Sequence, residues 1–160
     1  MNCPTCTPAR ALAAVELEAP WLIAHECDGC GGHWISATAY REFWTHHPKN
    51  LPERPAAAGE SRAADGPYLR RCPECDYILG RFRVGRGIPF TLDQCRNCGG
   101  AWFDAGEWQA LRDRNLHDDL HFILSDDWQD EVRRLEQAAR EEAWEAEGRA
   151  DRGLREEPDA

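Results

Sequence analysis

The sequence predicts a small α+β protein. Two copies of one metal-held unit, each a short antiparallel sheet plus a helix, precede a C-terminal acidic α-helix. Three observations carry this prediction. All eight cysteines of the 160 residues fall in Cys-x-x-Cys pairs. The pairs recur in the same order with the same flanking residues, the mark of an internal repeat. Acidic residues gather after the second copy, in a stretch with helical periodicity.

The first copy, 1–47, opens with Cys3-Pro4-Thr5-Cys6. Val15-Glu16-Leu17 and Trp21-Leu22-Ile23 then read as strands around Pro20, and Cys27-Asp28-Gly29-Cys30-Gly31-Gly32-His33-Trp34 closes the unit. Ser36 is a candidate cap for a short helix through Tyr40 and Trp44. Residues 48–68 are rich in Pro, Ala, Gly and charge without apolar periodicity, and read as a flexible linker. That linker allows either independent tumbling of the copies or a pseudo-symmetric pair.

The second copy, 69–117, repeats the first at offsets of 69 and 68 residues, with Cys72-Pro73-Glu74-Cys75 and Cys95-Arg96-Asn97-Cys98-Gly99-Gly100-Ala101-Trp102. Between them, Tyr77-Ile78-Leu79 and Phe82-Arg83-Val84 alternate apolar with polar, Gly85-Arg86-Gly87 turns, and Ile88 to Leu92 returns. Asp104-Ala105-Gly106-Glu107 has the form of a capping box for a helix through Leu111. Residues 118–147 read as an acidic amphipathic helix striped by Trp128, Val132, Leu135 and Ala139, and 148–160 as a disordered tail.

Two Cys-x-x-Cys turns joined by a hairpin aim four thiolates at one point. Such a tetrahedral sulfur set suits Zn2+, two ions per chain. The expected ligands are Cys3, Cys6, Cys27 and Cys30 for one ion, and Cys72, Cys75, Cys95 and Cys98 for the other. Iron also accepts four thiolates, and metal analysis decides between them. Disulfides need an oxidising compartment, for which nothing in the sequence speaks. Four thiolates close the coordination shell, and no catalytic constellation persists in both copies, so the expected protein is not an enzyme and has no small-molecule substrate. His25 and His33 flank ligands in the first copy only and are expected beside the site rather than in it. His117 and His121 have i,i+4 spacing, which alone does not make a site.

The charge is uneven. The whole chain has a formal net charge of -10, yet Leu69 to His117 holds eight Arg against six acids, while 118–160 holds fifteen acids against six Arg. The overall balance excludes a globally basic nucleic-acid coat. Locally, Arg81, Arg83 and Arg86 stand beside Phe82 and Phe90 at a hairpin tip, a pattern suited to phosphate contact and base stacking. A solvated hairpin is the plainer reading of the same residues. No apolar run reaches the roughly 20 residues of a membrane helix. Cys3 and Cys6 stand where a leader would be basic and then apolar, so a cytoplasmic protein without a membrane partner is expected.

Cys-Pro-x-Cys, a short sheet, then Cys-x-x-Cys-Gly-Gly-x-Trp and an Asp-x-Gly-Glu helix resembles the zf-TFIIB family, transcription-factor zinc-finger domains. The second copy matches from Cys72 to Leu111. The first keeps its cysteines, Pro4, Gly31, Gly32 and Trp34 but has Ser36-Ala37-Thr38-Ala39 in place of the acidic motif. The resemblance implies tandem zinc ribbons, zinc on all eight cysteines, and docking on nucleic acid or the transcription machinery. The competing expectation is a protein–protein adaptor, or a homodimer, that uses exposed aromatics and the C-terminal helix.

Overall fold

The computed structural model describes residues 1–47, 51–55 and 69–154. They form two compact units, Met1–Leu124 and Ser125–Ala160.

In the first unit, β1 (Ala13–Glu18) pairs antiparallel with β2 (Leu22–Glu26), and β2 with the short β3 (His33–Ile35). Helix α1 (Ala37–His46) follows. The second half repeats the design with β4 (Gly80–Gly85), β5 (Ile88–Gln94), β6 (Ala101–Phe103) and α2 (Glu107–Asp113). The hairpin between β4 and β5 turns on Gly85, Arg86 and Gly87, all at positive φ, as the glycine pair around Arg86 predicts.

The halves are one sheet. β3 pairs antiparallel with β6, giving the order β1-β2-β3-β6-β5-β4. In that pairing Trp34 stands opposite Trp102, His33 opposite Phe103 and Ile35 opposite Ala101. The equivalent tryptophans therefore meet on a pseudo-two-fold axis, which exchanges the two flanking pairs. Of the two arrangements that the linker allows, this is the pseudo-symmetric one.

The register explains the doubled glycine of the repeat. A Cβ on Gly32 would lie 2.3 Å from the Trp102 ring, and one on Gly100 would lie 2.3 Å from the Trp34 ring. Each knuckle thus clears a slot for the tryptophan of the other half. The preceding glycines serve the turn itself, Gly31 at φ +70° and Gly99 at φ +77°. Both rings are fully buried, in one cluster with Cys3, Cys27, Cys72 and Cys95. Phe43 of α1 packs edge-on against Trp108 of α2 and joins the helices of the two halves.

One helix start meets expectation and the other departs from it. Ser36, in the weaker copy, is a working cap: its side chain accepts the Ala39 N–H at 3.1 Å. Asp104 does not cap α2. The residue before the first turn is Gly106 at φ 85°, with no side-chain cap, and only the reach-back half of the box survives, with Glu107 Oε2 accepting the Asp104 N–H at 2.8 Å. The Asp104 carboxylate is drawn instead to Trp102 Nε1 and Arg70, both at 2.9 Å.

Residues 51–55 lie against the second half. Arg114 Nε donates to the Arg54 carbonyl at 2.6 Å, Asn115 Nδ2 to the Pro52 carbonyl at 2.8 Å, and the Leu51 N–H to Asp118 Oδ2 at 3.2 Å. The rest of the expected linker, 48–50 and 56–68, lies outside the described residues. The first unit ends with the one-turn helix α3 (Leu120–Ile123).

The second unit is α4 (Asp126–Leu154), 29 residues long. This revises the helix expected over 118–147 and the tail expected over 148–160, of which 155–160 lie outside the described residues. Local chemistry sets the start: Ser125 Oγ accepts the Trp128 N–H at 3.3 Å, and Asp126 and Asp127 complement the positive end of the helix. Arg133–Asp130, Arg134–Glu131 and Arg149–Glu145 pair along its surface. The stripe is not wholly buried, since Leu135 is 55% exposed; Trp144, outside the stripe, is 78% exposed. Among the described residues, no helix is long and apolar enough to cross a membrane.

Candidate metal centres

Each half gathers its four cysteines at the end of its sheet. Within each set, Cys3/Cys6/Cys27/Cys30 and Cys72/Cys75/Cys95/Cys98, all four sulfurs lie within 4.8 Å of one another. Crosswise approaches are short: Cys3 to Cys30 and Cys6 to Cys27 at 3.7 Å, Cys72 to Cys98 at 3.5 Å, and Cys75 to Cys95 at 3.4 Å. A disulfide needs about 2.05 Å, so all eight cysteines are free. A tetrahedral metal with sulfur at about 2.3 Å sets its ligands roughly 3.8 Å apart. The donor set and its spacing fit such an ion.

The knuckles are built alike. The Cys3 N–H donates to the Arg10 carbonyl and the Cys72 N–H to the Tyr77 carbonyl, both at 2.7 Å. Gly31 N–H donates to the Cys27 carbonyl and Gly99 N–H to the Cys95 carbonyl, both at 2.8 Å. Backbone N–H groups also point at sulfur: those of Thr5 and Cys6 reach Cys3 Sγ, and that of Glu74 reaches Cys72 Sγ, each at 3.4 Å. Such donors stabilise a thiolate and tune a bound metal. The leading cysteine of every pair is buried and the trailing one half-buried, so each site has a dry side and a wet side.

The thiols titrate unequally. Burial pushes Cys27 up, but N–H bonds from Cys30 and Gly29 outweigh it and bring its pKa down to about 7. The side chain of Asn97 and the backbone of Tyr77 bring Cys75 down to about 6. Burial pushes Cys72 up to about 11 and raises Cys30 and Cys98 as well. Each set therefore holds one thiol that ionises readily and others that a cation would have to deprotonate.

His33 is kept out of the first set. Its Nε2 faces Glu26 at 3.9 Å, burial lowers its pKa, and Nδ1 has no hydrogen-bond partner among the described residues. The spacing of His117 and His121 does not bring them together, because the chain at 117 is not helical. His117 is buried with His47, Phe43 and Trp108, its Nε2 lying 3.3 Å from His47 Nε2. Burial, the neighbouring His47 and nearby Arg112 and Arg54 lower its pKa to about 4, against the pull of Asp118. His121 packs on Trp44.

The arginine cluster is rearranged. Arg81 and Arg83 face outward on β4, but Phe82 and Phe90 are 2% and 3% exposed, because alternate strand positions point to opposite faces. Those aromatics are core and offer no surface for base stacking. Arg81 Nε lies 3.5 Å from Asp93, and Arg86 pairs with Glu53 at 3.3 Å. Sequence reasoning missed the buried cluster of Arg70 with Asp93 at 2.6 Å and Asp104 at 2.9 Å. Its one sequence signal is that the first copy lacks it: the positions equivalent to Asp93 and Asp104 are His25 and Ser36. Correspondingly, Trp34 Nε1 is buried without a partner among the described residues, where Trp102 Nε1 has Asp104.

No protein-family model, no curated protein and no solved structure matches the chain.

Proposed function

We propose that the protein is a non-enzymatic, zinc-binding tandem zinc-ribbon protein, whose two metals are structural and hold a rigid docking scaffold. The observation that carries this reading is the pair of four-sulfur sets. Four thiolates fill a tetrahedral shell and leave no position for substrate or water, which is the arrangement of structural zinc sites. Protein purified without added metal should contain two zinc ions per chain with all eight thiols protected, by elemental analysis beside thiol titration. One metal per chain, iron, or four reactive thiols would overturn it.

The scaffold's partner is read as a protein. Leu69, Tyr77 and Ile78 are 82%, 60% and 53% exposed beside the first knuckle of the second half, and large apolar side chains clear of a core are what interfaces use. A nucleic-acid or transcription-machinery partner, which the family resemblance suggests, draws on Arg81 and Arg83 on the edge strand β4. Binding that falls steeply with salt and with Arg81→Gln plus Arg83→Gln would select nucleic acid. Salt-tolerant binding lost on Tyr77→Ser plus Ile78→Ser would select protein.

A further inference from the structure

A cavity of about 350 Å3 opens in the first unit, lined by no cysteine but reaching Gly99 of the second knuckle. It has an aromatic wall of Tyr40, Trp44 and Phe103, contributed by both halves. Three polar side chains also line it: Arg41 on α1, Gln94 on β5 and His121 on α3. Tyr40 is already committed, its hydroxyl donating to the His117 carbonyl and accepting the Leu120 N–H. The guanidinium of Arg41 and the amide of Gln94 make no hydrogen bond or ion pair among the described residues. An apolar pocket of this size with a few convergent polar groups is the general form of a small-ligand site.

We infer that this cavity binds a small amphipathic carboxylate, its apolar body against Tyr40, Trp44 and Phe103 and its anionic end on Arg41. The charge argument is local. The chain as a whole carries -10, so long-range attraction does not bring an anion here. What selects it is an uncommitted guanidinium beside apolar surface, the donor that pairs bidentately with a carboxylate. The cavity's volume suits one compact body rather than an extended peptide. This goes beyond the scaffold reading, which assigns no small ligand.

The test uses the full-length, zinc-loaded protein, titrated with octanoate and with uncharged 1-octanol while two-dimensional 1H–15N NMR follows the backbone and indole signals. Octanoate should shift the signals of Trp44, Ala101 and Leu120 saturably. Octanol should bind about tenfold more weakly, and Arg41→Gln should weaken octanoate by a similar factor, the worth of one charge-assisted bond. Arg41→Lys should weaken octanoate less than Arg41→Gln but measurably, because a point charge keeps the attraction and loses the bidentate fork. Equal binding of octanol and octanoate, shifts that do not saturate, or shifts centred elsewhere would overturn the inference. So would an acidic aromatic peptide that moves these signals where octanoate does not. Zinc content measured on each sample separates this result from the fate of the scaffold reading.

Discussion

At the scale of single residues, the most informative side chain is one that is missing. Gly32 and Gly100 do not stand at positive φ, so nothing in their own backbone demands glycine. What demands it is an indole ring from the opposite half, 2.3 Å from where a Cβ would sit. Gly32→Ala or Gly100→Ala should therefore cost about 1–3 kcal/mol, the usual range for overpacking, read from denaturation of the zinc-loaded protein. The coupling should also be crossed. In double-mutant cycles Gly32→Ala should lose most of its effect when Trp102 is cut to Leu, and keep it when Trp34 is cut to Leu. Coupling of Gly32 to Trp34 instead would mean that each half packs on itself.

At the scale of elements, equivalent positions in the repeat have been put to different uses. Ser36 caps α1 through one hydrogen bond to the Ala39 N–H, whereas Asp104, its counterpart, caps nothing and holds Trp102 and the buried Arg70. Ser36→Ala should cost about 1 kcal/mol, as caps do. Asp104→Ala should cost more, about 2–3 kcal/mol, because it takes from the buried Arg70 guanidinium one of its two carboxylates, leaving Asp93, and strands the Trp102 indole N–H. Equal costs in thermal or chemical unfolding would show that Asp104 acts only locally. The same comparison marks what the sequence made legible. The knuckles, the hairpin turn at Gly85-Arg86-Gly87 and the helix after each tryptophan could be read because their causes lie within a few residues. The pairing of β3 with β6 could not, since three-residue strands such as His33-Trp34-Ile35 are too short to carry a period. Nor could the failure of the capping box, since one of the two partners that divert Asp104, Arg70, lies 34 residues away. The alternation that marked β4 as a strand also put Phe82 inside, so the feature that suggested base stacking was itself a sign of burial.

At the scale of the whole molecule, the two four-sulfur sets belong to one folding problem. One cluster of the first unit's core joins both knuckles, with Cys3, Cys27, Trp34, Cys72, Leu79, Cys95 and Trp102, and each tryptophan packs on a glycine of the opposite knuckle. A structural metal supplies folding energy only through the geometry its ligands impose. Loosening one knuckle therefore removes the wall against which the other half's tryptophan packs. Cys6→Ser, a change at a half-buried ligand, should abolish the first site and also weaken zinc retention at the second by about tenfold or more. Competition with a chromophoric chelator reads this directly, because the surviving ion must leave more readily than either ion leaves the unaltered protein. Retention equal to that of the unaltered second site would mean that the shared strand pair transmits no free energy. The repeat would then behave as two independent metal sites that happen to lie in one sheet. The reciprocal change, Cys75→Ser, should act on the first site in the same direction and more strongly. Among the described residues the buried Nε1 of Trp34 has no hydrogen-bond partner, so its anchor there is packing, while Trp102 keeps Asp104 as a second anchor when its neighbour gives way.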